Sequence, residues 1–81
     1  MTRETIIEKL SHFLSNEFPN QGGVLEENTN LLSDWFLDSL GTLEIAMFLE
    51  EEFDIDVQRA DINGDNFHSM GTLTDFILSR I

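Results

Sequence analysis

The run Asp38-Ser39-Leu40 is the stretch of this chain best placed to do chemistry, because an acid-flanked serine falls there at the start of a helix. One chemistry to consider is nucleophilic hydrolysis, with Ser39, one of His12 and His68, and a carboxylate. The local run Leu37-Asp38-Ser39-Leu40-Gly41 is not the Gly-x-Ser-x-Gly elbow that presents such a serine. Both histidines are remote in sequence and read as ordinary surface residues. A calcium loop at Asp61-Ile62-Asn63-Gly64-Asp65-Asn66 also fails, because Asn66 and Thr72 stand where glycine and a bidentate glutamate are needed. The paired carboxylates along the next helix read as a solvated face. What remains is Ser39 as a modification site. A phosphodiester attached there would sit at a helix N-terminus, where backbone N–H groups and the macrodipole favour an anion. The plainer alternative is that Asp38 and Ser39 only cap the helix.

These residues must be positioned by helices. Ile6, Ile7, Leu10, Phe13, Leu14 and Phe18 form one stripe of helical period, with Thr2 as N-cap and Pro19 as the stop. Residues 19–37 hold Pro19, Asn20, Gly22, Gly23, Asn28 and Asn30 and read as a long loop. Leu25, Leu31 and Leu32 are expected to pin that loop to the core, with Trp35, Phe36 and Leu37 continuing the anchoring up to the serine. Residues 41–53 read as helix two, with Ser39 in its first turn and Asp38 at or beside the N-cap. Ile45, Ala46, Leu49 and Phe53 fall on one side of it, with Thr42 among them. Leu40, Leu43 and Met47 point the opposite way, beside Glu44, Glu50 and Glu51, and Phe48 lies between the faces. The second stripe is either a partner surface or is covered by the loop. Ile55 and Val57 return to the core, and Arg59-Ala60-Asp61-Ile62 is expected to make one helical turn, with Phe67 a further anchor. Ser69 then caps a last helix whose stripe is Met70, Leu73, Phe76, Ile77 and Ile81. The sum is an all-α, four-helix bundle of three main helices and one short one, with the long loop between helices one and two.

With 81 residues the chain reads as one domain, residues 1–81. Hydrophobic residues are 41% of it, enough to build a small core. It has no cysteine, so disulfides and thiolate metal sites are excluded. No membrane-spanning run or secretory segment is present in the sequence, and the expected location is the cytoplasm. The formal net charge is −12, and the four cations Arg3, Lys9, Arg59 and Arg80 leave residues 10–58 without one. Such a surface repels nucleic-acid backbones and anionic membranes, and it suits basic protein partners.

Asp38-Ser39-Leu40, followed by Glu44, Met47, Leu49-Glu50-Glu51-Glu52-Phe53 and Ile55, resembles the acyl carrier proteins and peptidyl carrier domains over nearly the whole chain. The resemblance implies that Ser39 carries 4′-phosphopantetheine, added by a phosphopantetheinyl transferase that Asp38 helps to engage, and that acyl or aminoacyl groups ride on the arm as thioesters. It implies that the carrier is not an enzyme. Leu40, Glu44, Met47 and Glu51, with Leu43 and Phe48 on the same helix, would dock on basic patches of partners. Those partners would be an adenylating acyl or aminoacyl ligase and a downstream transferase or synthase. Phe36-Leu37 before the serine, and the run Ser39-Leu40-Gly41-Thr42-Leu43-Glu44, are similar to stand-alone carriers such as D-alanyl and aminoacyl carrier proteins. Trp35 departs from the glycine common in those proteins. Phe48 departs from a small residue, as a partner contact or a lid over the loop. The expectation is a monomeric carrier of a specialised pathway. The alternatives are a carrier of general fatty-acid synthesis and an acidic helical adaptor without a prosthetic group.

Overall fold

The computed structural model describes residues 2–18, 25–32 and 39–81. Its regular elements are α1 (Arg3–Glu17), α2 (Ser39–Phe53), a 3-10 turn (Arg59–Asp61), α3 (Gly64–Phe67) and α4 (Met70–Leu78). The described residues contain no strand, so the expected all-α architecture is the one the chain adopts.

α1, α3 and α4 each start where a side chain satisfies backbone donors that have no partner in the helix. Thr2 Oγ1 accepts from the Thr5 N–H at 3.2 Å, as its position before the apolar stripe predicts. Ile6, Leu10 and Leu14 are then fully buried at four-residue intervals. α1 ends at Glu17, where the Phe18 N–H donates back to the Leu14 carbonyl; Pro19, expected to be the stop, lies outside the described residues. At α4 the pairing is reciprocal: Ser69 Oγ accepts from the Thr72 N–H at 3.2 Å, and Thr72 Oγ1 accepts from the Ser69 N–H at 3.0 Å. Met70, Leu73, Phe76 and Ile77 carry the buried face of α4. Thr74 is buried among them without an unmet polar group, because its hydroxyl donates to the Met70 carbonyl at 2.7 Å.

Three details differ from the sequence-based expectation. Ile81 is outside the α4 stripe and 55% exposed, because the helix ends at Leu78 with Ser79 as its C-cap. Leu32 is half turned to solvent: neighbouring Leu31 takes the core position, and Asn30 Oδ1 accepts from the Leu32 N–H at 3.0 Å in a tight turn. Residues 58–68 hold a second helical turn besides the expected one. Asn63 Oδ1 accepts from the Asn66 N–H at 2.9 Å, starting the short α3 that drives Phe67 into the core. α2 begins at Ser39, which is in its first turn as expected.

The described part of the loop is tied to the far side of the bundle. The Leu31 N–H donates to the His68 carbonyl at 2.8 Å, and the Gly71 N–H donates to the Glu27 carbonyl at 2.9 Å. Glycine suits position 71 at that approach, since a Cβ there would sit 3.2 Å from Glu27 Cγ and 3.4 Å from the Glu27 carbonyl oxygen, so that Glu27 would have to shift by a few tenths of an ångström. Arg3 closes the same seam from α1, pairing with Glu27 at 2.9 Å and Asp75 at 2.5 Å. At the opposite end Asp54 leaves α2 in the left-handed region, with φ of 53°, and Ile55 re-enters the core. Arg80 then clamps the connection. It pairs with Asp61 at 2.7 Å, donates to the Asp56 carbonyl at 3.1 Å and lies over the Phe76 ring. The Arg80 hydrogen bond, reinforced by the Gln58 N–H, holds the Asp61 carboxyl below its usual titration range.

Candidate functional site

The candidate site is the start and outer face of α2. Ser39 is the first residue of the helix and so stands at the positive end of its dipole, a favourable place for a linked anion. Leu40, beside it, is 66% exposed, so the described residues do not cover this end of the helix. Both observations fit a phosphate-linked arm at Ser39. Asp38, and with it Trp35, Phe36 and Leu37, lies outside the described residues.

Beyond the first turn, α2 divides as its period predicts. Ile45, Ala46, Leu49 and Phe53 are buried, whereas Leu43 and Met47 are 50% and 60% exposed and Glu44, Glu50 and Glu51 are exposed with them. Of the two readings of the second stripe, exposure is the one the described residues bear out. Three large apolar side chains along one face cannot lower the free energy of the isolated domain by burial, so they are available to another surface. The nearby carboxylates give that surface a sign, and it is negative.

Phe48 does not cover the described part of the loop. It turns to α1 and stacks on Phe13, with ring centroids 4.0 Å apart and planes 13° from parallel, while Phe53 meets it edge-on at 6.0 Å. Phe13 meets Phe18 in the same edge-on manner at 6.3 Å. Phe13 and Phe48 floor a hollow of about 190 Å³ between α1 and α2, lined also by Glu17, Glu44, Met47 and Glu51. Phe13 and Glu17 are the site residues that sequence reasoning missed. Phe13 reads as ordinary core in the α1 stripe, and the one available signal was Phe48 falling between the two faces of α2.

No family model matches the chain. Among curated proteins it is similar to an acyl carrier protein of Prochlorococcus marinus, 31% identical over 80 residues that cover 99% of this chain and 98% of that protein. It is also similar to a mitochondrial acyl carrier protein of Neurospora crassa, 30% identical over 81 residues that cover 99% of this chain and 59% of that longer protein. Acyl carrier proteins are carriers rather than enzymes, which favours the carrier expectation over a helical adaptor. Taken with the four-helix fold and the exposed face of α2, the full-length identity shows that this chain belongs to the acyl carrier protein family.

Proposed function

We propose that the protein carries acyl or aminoacyl groups on a 4′-phosphopantetheine arm attached at Ser39, in a specialised pathway with its own adenylating ligase. The observation that carries this reading is the exposed stripe Leu40, Leu43 and Met47, set among carboxylates on the helix that Ser39 opens. When bound, the arm supplies a thiol that holds cargo as a thioester. The chain's own residues supply the rest. Ser39 offers the attachment oxygen, and Asp38 stands beside it to engage the phosphopantetheinyl transferase. Leu40, Leu43 and Met47 offer apolar contact, and Glu44 and Glu51 steer basic partners toward the serine. Tethering then raises the effective concentration of cargo at each partner in turn. Phe36-Leu37 before the serine, and the bulky Phe48 with its α1 partner, support a dedicated pathway over general fatty-acid synthesis.

The test is the intact mass after incubation with coenzyme A and a phosphopantetheinyl transferase. The wild-type chain should gain one phosphopantetheine and Ser39→Ala none; a Ser39→Ala chain that is still modified, or a wild-type chain that is not, sinks the reading. Glu44→Lys and Glu51→Lys should slow modification at low salt while leaving the helical circular-dichroism signal unchanged. Loading of the modified chain by adenylating ligases then identifies the cargo class.

A further inference from the structure

The hollow between α1 and α2 has a composition that the outer face of α2 alone does not explain. Phe13 and Phe48 form its floor, Met47 one wall, and the exposed Glu17, Glu44 and Glu51 its rim, so two helices contribute to it. Among the described residues no cation lines it. Of the four cations, Arg3 is paired with Glu27 and Asp75, Lys9 with Glu52, and Arg80 with Asp61, which leaves only Arg59 outside an ion pair among the described residues. Arg59 opens the 3-10 turn after α2 and is not among the residues around the hollow. An aromatic floor with a carboxylate rim and no internal counter-charge is complementary to one kind of side chain, a long apolar stem ending in a cation. Arginine suits it better than lysine, because a guanidinium has five donors in a planar fork and can engage more than one carboxylate at once. At about 190 Å³ the hollow has room for one side-chain end.

We propose that this hollow is the socket for a single arginine of a partner enzyme, so that the docking footprint crosses from α2 onto α1 through Phe13 and Glu17. The inference rests on the carrier reading, since it assigns the partner chemistry of the same face. It also makes Phe48 a selective element. By stacking on Phe13 it builds the floor, and a small residue at 48 would leave the α2 face without a socket.

The test uses the unmodified full chain and the Ser39→Ala chain, titrated at low ionic strength with Nα-acetyl-arginine amide and followed by amide and methionine-methyl NMR shifts. Controls are the amides of lysine, norleucine and citrulline, the last having the shape of arginine without its charge. The arginine amide should shift the signals of Phe13, Glu17, Met47 and Phe48 together, equally in both chains. Its apparent affinity should exceed that of the lysine amide and fall several-fold in Glu17→Gln, a surface change that leaves the core intact. Phe48→Ala should also remove the response. Shifts spread evenly over the acidic surface, equal binding of the lysine or citrulline amide, or tighter binding of the norleucine amide each overturns the proposal. Failure of Ser39 to accept phosphopantetheine while the arginine shifts persist would count against the carrier reading and not against the socket.

Discussion

Asp61 is the residue where charge and packing meet most directly. Its carboxylate receives the Arg80 guanidinium and the Gln58 N–H, and both favour the ionised form. A carboxyl whose folded-state pKa is depressed binds its proton more weakly folded than unfolded. The stability it contributes is therefore complete above the ordinary aspartate range, about pH 4, and is lost as the pH falls through the lower folded value. General protonation of the other carboxylates acts in the opposite direction, because it relieves the repulsion within a chain of net charge −12. The comparison with Asp61→Asn separates the two effects. The variant should be less stable than wild type at pH 7, and the gap should close as the pH falls below about 4. Urea midpoints at a series of pH values provide the measurement; a gap that is constant down to acid pH would mean that Asp61 acts through hydrogen bonding alone. Phe48 shows a different lesson at this scale. Its position between two faces becomes meaningful only through Phe13, which lies on another helix.

At the scale of the element, α2 is built to be half core and half surface. Leu49 is fully buried, whereas Met47, two residues before it, is 60% exposed. Truncating Leu49 to alanine removes buried methyl groups and leaves a cavity, with an expected cost of about 2–5 kcal/mol. Met47→Ala should change stability by no more than about 0.5 kcal/mol, because its side chain is largely in water already. Chemical denaturation of the two variants decides this, and equal losses would mean that the exposed stripe is covered. The loop shows how one element is held by others. Leu31 and Glu27 donate and accept backbone hydrogen bonds across to His68 and Gly71, and Arg3 bridges Glu27 to Asp75. The described loop residues are thus fixed to α1 and to the start of α4.

For the whole molecule, sixteen acids against four bases decide the balance of surface electrostatics. The ion pairs of Arg3 and Lys9 are solvent-exposed and each contributes little, and that of Arg80 with Asp61 is more shielded but is a single pair. Repulsion among the remaining carboxylates is the larger effect, and salt at about 0.3 M screens it over distances beyond roughly 6 Å. Added sodium chloride should therefore raise the thermal midpoint of the domain, by roughly 4–8 °C for each 1 kcal/mol recovered. A midpoint that falls with salt would show that the few ion pairs outweigh the repulsion. The same salt should slow encounter with basic partners, so stability and docking rate are expected to move in opposite directions.

The sequence by itself determined the helices and the two-sided character of α2, because period, caps and breakers act within a few residues of one another. Thr2 and Ser69 cap where their neighbours say they should, and the stripe of Ile45, Ala46, Leu49 and Phe53 is buried. Only the tertiary structure decided what depends on register between elements. It gave Leu31 and not Leu32 the core position, ended α4 before Ile81, and placed α3 as a separate turn under Asn63. It also brought Phe13 against Phe48 and Glu17 to the rim of their hollow. A helical period fixes which side of each rod is apolar. Which residues of two rods meet is fixed only when both rods pack into one core.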